Sequence, residues 1–489
     1  MRRLFFRVIT ACLLCAADAS AHVGSPDVFY EGMAGPYRLL VTVRIPQMIP
    51  GVAQIEAQVL DGSASGIQIV PLRVVGEGSE TAPPSDRMEQ STADAQFFTG
   101  KLWLMESGAF QVRMDIDGVQ GKARLSVPVA AFAQRTLRMQ KPIGALLGLL
   151  MAFLALSMIS IIGAAVRESQ LEPGQEVPAK KQFGARAAMG GAALVVLAVL
   201  FLGNMWWNSV ASANARDMVY RPPPLQASLT RDNQLVLKMG SSYWHELRKS
   251  EQLDRIIPDH GHLMHVFLVR VPELDRFFHL HPEQTGMAEF AEMLPAVPAG
   301  AYAVFADIVR ESGFPDTMTT QVAIREANGG KPLSGDDSEA EAACVSSSGP
   351  KTIASLGDGE HVEWVAGGSA IRALKPALLR FRIVDKAGHP AVDLEPYMGM
   401  AGHLVILRRD LSVFAHVHPA GSVPMAALLL LEKTSERNMD SMSGMHPQTA
   451  PAEITFPYGF PQAGDYRLFL QLKRAGQVET AVFDAHVMP

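Results

Sequence analysis

The sequence predicts a mainly β protein: an immunoglobulin-like N-terminal sandwich, a two-helix transmembrane hairpin, and two repeated β-sandwich-like units. Three observations carry this expectation. Short apolar runs punctuated by Gly, Pro and Asp fill both large polar stretches. Two long uncharged runs lie close together in the middle of the chain. A His-rich pattern then occurs twice.

The chain opens with Arg2 and Arg3, continues through an apolar stretch to Leu14, and reaches Ala19-Ser20-Ala21. That order reads as a signal peptide over residues 1–21 with an A-x-A cleavage signal. Cys12 and Cys15 leave with it. Cys344 alone remains, so neither an internal disulfide nor a Cys-based zinc site is expected. The mature terminus would be His22, whose amine and imidazole form the bidentate half of a copper site of the kind seen in copper-resistance C-type proteins. No other His lies in this domain, so an ordinary terminus is the expectation.

Residues 22–135 read as an exported β-sandwich. The strand-like runs are Leu39 to Ile45, Val52 to Leu60, Ile67 to Val75 and Phe110 to Met114, with turns at Pro50-Gly51 and Asp61-Gly62. Residues 143–166 and 187–207 are uncharged and long enough to cross a bilayer. Between them, residues 167–186 carry Arg167, Lys180, Lys181 and Arg186, which the positive-inside rule places in the cytoplasm. Both large domains are then expected on the periplasmic or extracytoplasmic side of the cell membrane. Trp206 and Trp207 close the second run as interfacial aromatics. Gly144 and Gly148 offer a GxxxG spacing for helix packing.

The repeats follow, over residues 220–326 and 352–489, with a polar linker over 327–351. In the first, His265-Val266-Phe267-Leu268-Val269-Arg270 runs into Phe278-His279-Leu280-His281-Pro282. In the second, His403-Leu404-Val405-Ile406-Leu407-Arg408 runs into Phe414-Ala415-His416-Val417-His418-Pro419. Each copy continues into a Pro-and-Gly turn with a Tyr two residues after the Gly, at Gly300-Ala301-Tyr302 and Gly464-Asp465-Tyr466. Residues i and i+2 of a strand share a face. His279 and His281 therefore project together, as do His416 and His418, and a hairpin brings His265 or His403 beside each pair. Two metal sites are expected: His265, His279 and His281 in one unit, and His403, His416 and His418 in the other.

Neighbouring residues select the metal. Met398 and Met400 precede His403, and Met439, Met442, Met445 and His446 lie in a polar loop. Thioethers favour Cu(I), and imidazole serves both copper states. The first copy offers extra imidazoles in Asp259-His260-Gly261-His262, of which His262 is a candidate ligand. His245, His361, His389 and His486 read as ordinary surface or packed residues.

Gly261-His262-Leu263-Met264-His265, Leu394-Glu395-Pro396-Tyr397-Met398-Gly399-Met400 and both HxHP segments resemble a family of bacterial membrane-anchored exported proteins. That family has a YtkA-like N-terminal β-sandwich and duplicated His/Met-rich β domains. The likeness extends to His22-Val23-Gly24-Ser25-Pro26-Asp27, and Gly35-Pro36-Tyr37 with Gly100-Lys101-Leu102-Trp103 is similar to YtkA-like secreted domains. It implies the architecture and no activity.

The expected function is copper buffering, sensing or transfer, with a copper donor or acceptor protein as partner. With 489 residues, a net charge of −6 and no large basic block, nucleic acid is not an expected partner. No HExxH, Walker A, GxSxG or CxxCH motif occurs. Two alternatives remain open. HxH followed by a Pro-Ala-Gly turn resembles cupin metal motifs, which would make a metalloenzyme, although Glu283 follows His281 too closely for that pattern. A structural cell-envelope protein without metal is the other.

Overall fold

The computed structural model describes residues 25–489 apart from 77, 80, 138, 173, 248–254, 326–329, 334, 343–351, 366–369 and 436–448. His22, Cys344 and the Met439, Met442, Met445 and His446 loop lie outside the described residues. Two compact units result: Met1–Phe132 with Arg221–Pro489, and Ala133–Tyr220.

The N-terminal domain is built from a five-stranded and a four-stranded antiparallel sheet. The sequence-derived runs overlap strands Tyr37–Arg44, Gly51–Asp61, Ala64–Arg73 and Gly108–Gly118, two of them running one or two residues past the strand end. Val28–Ala34 and Gly121–Ala131 are additional strands. The sheets stack closely where Gly100 meets Ile69: a Cβ there would lie 2.7 Å from the Ile69 side chain. Tyr37, fully buried, ties the sheets together by donating its hydroxyl proton to the Gly121 carbonyl at 2.8 Å.

Lys141–Glu168 and Ala179–Met218 form the second unit, a helical hairpin. Both helices are long and apolar enough to cross a membrane, and their most apolar windows are 0% and 6% buried within the protein. The second helix has 40 residues, roughly 60 Å at 1.5 Å per residue. It therefore takes in Lys180, Lys181 and Arg186, which the sequence reading put in the loop; Ala, Lys, Gln and Arg are good helix formers. The close approach of the helices is not at the GxxxG pair. It is at Gly163, where a Cβ would lie 2.5 Å from Met189 Sδ, whereas one at Gly148 would meet nothing within 4 Å.

Both repeats are pairs of antiparallel sheets. In the first, His265–Val271 pairs with Arg276–Leu280 on one side and Gly300–Arg310 on the other; in the second, His403–Arg408 pairs likewise with Phe414–Val417 and Gly464–Arg474. The registers correspond: Phe267 opposes His279 as Val405 opposes His416, and His265 opposes Asp307 as His403 opposes Gln471. Gly300 and Gly464 also correspond. Each has positive φ, and a Cβ at either would lie 2.9 Å from the equivalent Arg270 or Arg408. Tyr302 and Tyr466 close the turns by donating to the Pro298 and Gln462 carbonyls.

The four consecutive apolar residues after each leading His now have a reason, because both faces of these strands are covered. Val266 and Leu268, or Leu404 and Ile406, face the core of their own repeat. Phe267 and Val269 with Phe277 and Phe305, and Val405 and Leu407 with Phe414 and Phe469, meet in a cluster joining the two repeats. The joint has pseudo-two-fold symmetry. Phe305 stacks on Phe414 and Phe277 on Phe469, both at 4.3 Å between ring centroids, and the operation that exchanges the repeats exchanges these pairs. Each such pair contributes about 0.5–1.5 kcal/mol beyond area burial. Buried Arg467 adds a hydrogen bond from Nη1 to the Leu274 carbonyl, 2.8 Å away in the other repeat.

Three features depart from the sequence reading. The segment read as a linker contributes a strand, Ser338–Glu341, that pairs with Arg276–Leu280. A helix, Met425–Ser435, follows the second HxHP. The N-terminal sandwich also packs onto the second repeat: Phe29 joins that repeat's core, and Glu31 N–H donates to the Ala420 carbonyl at 2.8 Å.

Candidate metal centre

Two identical hairpin registers meeting face to face bring eight histidines together. Their side chains are those of His260, His262, His265, His279, His281, His403, His416 and His418, with neighbouring ring centroids 3.9–6.1 Å apart. Within the cluster, one ring nitrogen from each of His265, His279 and His281 lies within 4.8 Å of the others, and the same holds for His260, His403 and His418. The first group is the triad read from the sequence. The second differs: His260, from the first repeat, takes the place expected for His416. The two expected sites are thus parts of one cluster, and one of them draws on both repeats.

His260 reaches across because of its turn. Asp259 and His262 exchange backbone hydrogen bonds of 2.9 and 3.0 Å around His260 and Gly261, whose φ values of 53° and 88° make a type I′ turn. Five residues before the second leading His the chain repeats this turn. Tyr397 and Met400 bond around Met398 and Gly399, with φ of 49° and 80°. His260 is therefore the counterpart of Met398, and His262 of Met400. The two turns touch: His260 Nδ1 donates to the Met398 carbonyl at 2.9 Å. That bond is the only polar contact between Met398 and the cluster among the described residues.

Hydrogen bonding fixes which ring nitrogens carry protons. A carbonyl only accepts, so His265 holds its proton on Nε2, 3.0 Å from the Asp259 carbonyl, and its Nδ1 lone pair is bare. His279 donates from Nδ1 to Gln471 Oε1 at 3.1 Å, while the Gln471 amide nitrogen donates to Ser338 Oγ. The bare His279 Nε2 sits 3.1 Å from the bare His265 Nδ1. His281 donates from Nδ1 to Asp337 at 2.9 Å, and its Nε2 is buried with no hydrogen-bond partner. In the second group, His260 and His418 donate from Nδ1 to the Met398 and Val423 carbonyls, leaving their Nε2 lone pairs 3.2 Å apart. Neither nitrogen of buried His403 has a partner, nor does His416 Nε2.

Lone pairs facing one another at 3.1–3.2 Å repel unless a proton or a metal cation lies between them. Protons are disfavoured here. Burial, reinforced by neighbouring imidazoles, pushes the basicity of His265, His279, His403 and His418 well below the ordinary histidine range, and burial also lowers His260 and His281. A metal fits. Nitrogens about 2.0–2.1 Å from a tetrahedral ion lie roughly 3.3 Å apart, and neutral, oriented imidazoles are what an ion needs.

The supporting groups were not legible as such. Asp336 and Asp337 lie in the stretch read as a linker; Asp337 orients His281, and Asp336 Oδ2 lies 3.4 Å from His262 Nε2. His262 stacks on His281 at 3.9 Å and keeps 31% of its side chain exposed. Asp259, besides holding His265, accepts from the Ala426 N–H at 2.6 Å. Buried Tyr397 donates to the Asp336 carbonyl at 2.7 Å. The turn spacing was the one available signal for His260, since a His-Gly pair and a Met-Gly pair stand at the same offset from each leading His. His245, His361, His389 and His486 lie outside the cluster, each beside a carboxylate.

Asp337→Asn tests this arrangement. The amide still fills the space but no longer stabilises the Nδ1–H tautomer of His281 as a carboxylate does. Metal affinity at the first group is expected to fall about 10–100-fold, with the second group unchanged. A calorimetric titration checks it.

A family model described as a domain of unknown function, DUF8832, matches residues 354–489, the second repeat. No curated protein matches the chain. Among solved structures, the chain is similar to dimeric latent PorU from Porphyromonas gingivalis, at 9% identity with a TM-score of 0.14, covering 95% of this chain and 34% of that one. It is also similar to a membrane-anchored protein from Corynebacterium diphtheriae, at 8% identity with a TM-score of 0.15, covering 95% and 96%. The chain thus spans about a third of PorU, and likenesses this distant carry no argument about function.

Proposed function

We propose that this chain is a membrane-anchored, extracytoplasmic copper-binding protein that buffers copper or hands it to a partner protein. The observation that carries the reading is the pair of imidazole groups whose bare nitrogens face one another in a buried, weakly basic setting. The donor set favours copper. At a nitrogen site without other selection, affinity among divalent first-row ions peaks at Cu²⁺, and imidazole also accepts Cu(I). The run of methionines at Met439, Met442 and Met445 adds soft ligands in sequence. Competition decides the metal: full-length protein in detergent, offered equal cupric and zinc ions, is expected to retain copper in at least tenfold excess. Preferential retention of zinc would count against the copper assignment.

The hairpin supports the anchor. A chain that crosses a membrane twice returns to the side it left, and the sandwich before the hairpin packs against the repeat after it. Basic residues on the helix ends that flank the hairpin's turn favour the cytoplasm for that turn and the outside for both domains. A reporter active only after export is expected to work when fused after Pro489 and to fail near Gln175. The reverse pattern would overturn the topology.

By the pseudo-symmetry, Met398 holds the turn position from which His260 enters the opposite group. Met398→Leu is therefore expected to weaken Cu(I) retention at the His265, His279 and His281 group rather than at its sequence neighbour His403.

A further inference from the structure

We propose that the cluster is a single two-ion centre in which His416 is the ligand common to both groups. This rests on the metal-binding reading above and deepens it. The sequence pattern assigns one triad to each repeat, with His416 in the second. The geometry points elsewhere. His260 completes the second group, which leaves His416 over as a further buried imidazole that belongs to neither.

His416 stands between the groups. Its ring centroid lies 5.5 Å from His265 and 5.7 Å from His279 on one side, and 5.3 Å from His403 and 4.7 Å from His418 on the other. Its Nε2 is buried without a hydrogen-bond partner, and its side chain is 6% exposed. On the far edge of the ring, Nδ1 faces Asp307 Oδ2 at 3.6 Å. Asp307 is the repeat-one counterpart of Gln471, the residue that orients His279 from the other repeat. Each repeat therefore supplies a polar group behind the first HxH histidine of its partner. Such a crossed arrangement turns His279 and His416 toward one centre, and with Nδ1 toward the carboxylate His416 presents its Nε2 there.

An ion in either group then has His416 within reach beside its three imidazoles, which makes His416 a further ligand for one ion and a route to the other. Two ions held this close would not behave as isolated centres. The expected behaviour is two coppers per chain, interacting with each other, and both weakened when His416 is lost.

The test uses full-length protein in detergent titrated with cupric chloride alone, read by metal content and by electron paramagnetic resonance. Wild type is expected to hold two cupric ions with a dipolar-broadened or diminished signal. His281→Ala should weaken only one ion and His260→Ala only the other, whereas His416→Ala should weaken both by about tenfold or more. His416→Gln preserves most of the side-chain volume and should behave like the Ala variant if the imidazole is what matters. Two fully isolated cupric signals, a single ion per chain, or a His416→Gln protein that binds like wild type would each overturn the shared centre while leaving metal binding intact. No retained copper in wild type would remove the underlying function as well.

Discussion

Replacing His279 and His281 together by Ala is expected to abolish the first metal group while the second keeps its ion. Only His265 would remain of the three nitrogens that converge there. A single imidazole is a poor chelate, so the loss should exceed the 10–100-fold typical of removing a supporting residue. The fold should survive, because the cores on either side rest on Val266, Leu268, Phe278 and Leu280 and on the Phe277–Phe469 stack. Direct titration of the purified double variant reads the effect. The parallel experiment is sharper. His260→Ala, a change in the first repeat, should damage the second group, and a variant that behaved otherwise would contradict the crossed geometry.

Metal-free protein is expected to lose stability steeply below about pH 6.5. His260, His265, His279, His281, His403 and His418 all have basicities lowered by burial in the folded state. The unfolded chain takes up protons near the ordinary value of about 6.5, and the folded chain does not. Unfolding therefore becomes more favourable as pH falls from about 6.5 toward the lower folded values, and stability is intact above that range. Each histidine held neutral contributes about 1.4 kcal/mol per pH unit there. All six shifts have the same sign, so their effects on stability act in one direction. Denaturant midpoints of chelator-treated protein at pH 7.5, 6.5 and 5.5 check this, with a sharp drop expected between the last two. A flat profile would mean that these rings are protonated or solvated in the fold. Bound copper, which favours the folded state, should raise the midpoints at pH 7.5.

Much of the architecture was legible in the sequence because its signals are local. The two uncharged runs, the signals at Pro50-Gly51 and Asp61-Gly62, and the repeated pattern from His265 and His403 each need only a short window. The first His group follows from strand period and hairpin register alone. The second could not, because it depends on how one repeat packs against the other. That packing is written in Phe267, Phe277, Phe305, Phe414 and Phe469, which in a linear reading are merely apolar. His260 was visible beside His262, but only the left-handed turn at His260-Gly261 shows that it crosses to His418. Asp336 and Asp337 were hidden by the composition of their surroundings. A short polar strand at a sheet edge reads as linker until its partner, Arg276–Leu280, is known.

X-ray absorption at the copper edge on full-length, copper-loaded protein tests the central claim most directly. Copper is expected to remain bound through gel filtration, with at least three nitrogen scatterers in its first shell at about 2.0 Å and the outer-shell pattern of imidazole rings. Copper that elutes away from the protein, or that is retained with a first shell of oxygen and no imidazole signature, would contradict it.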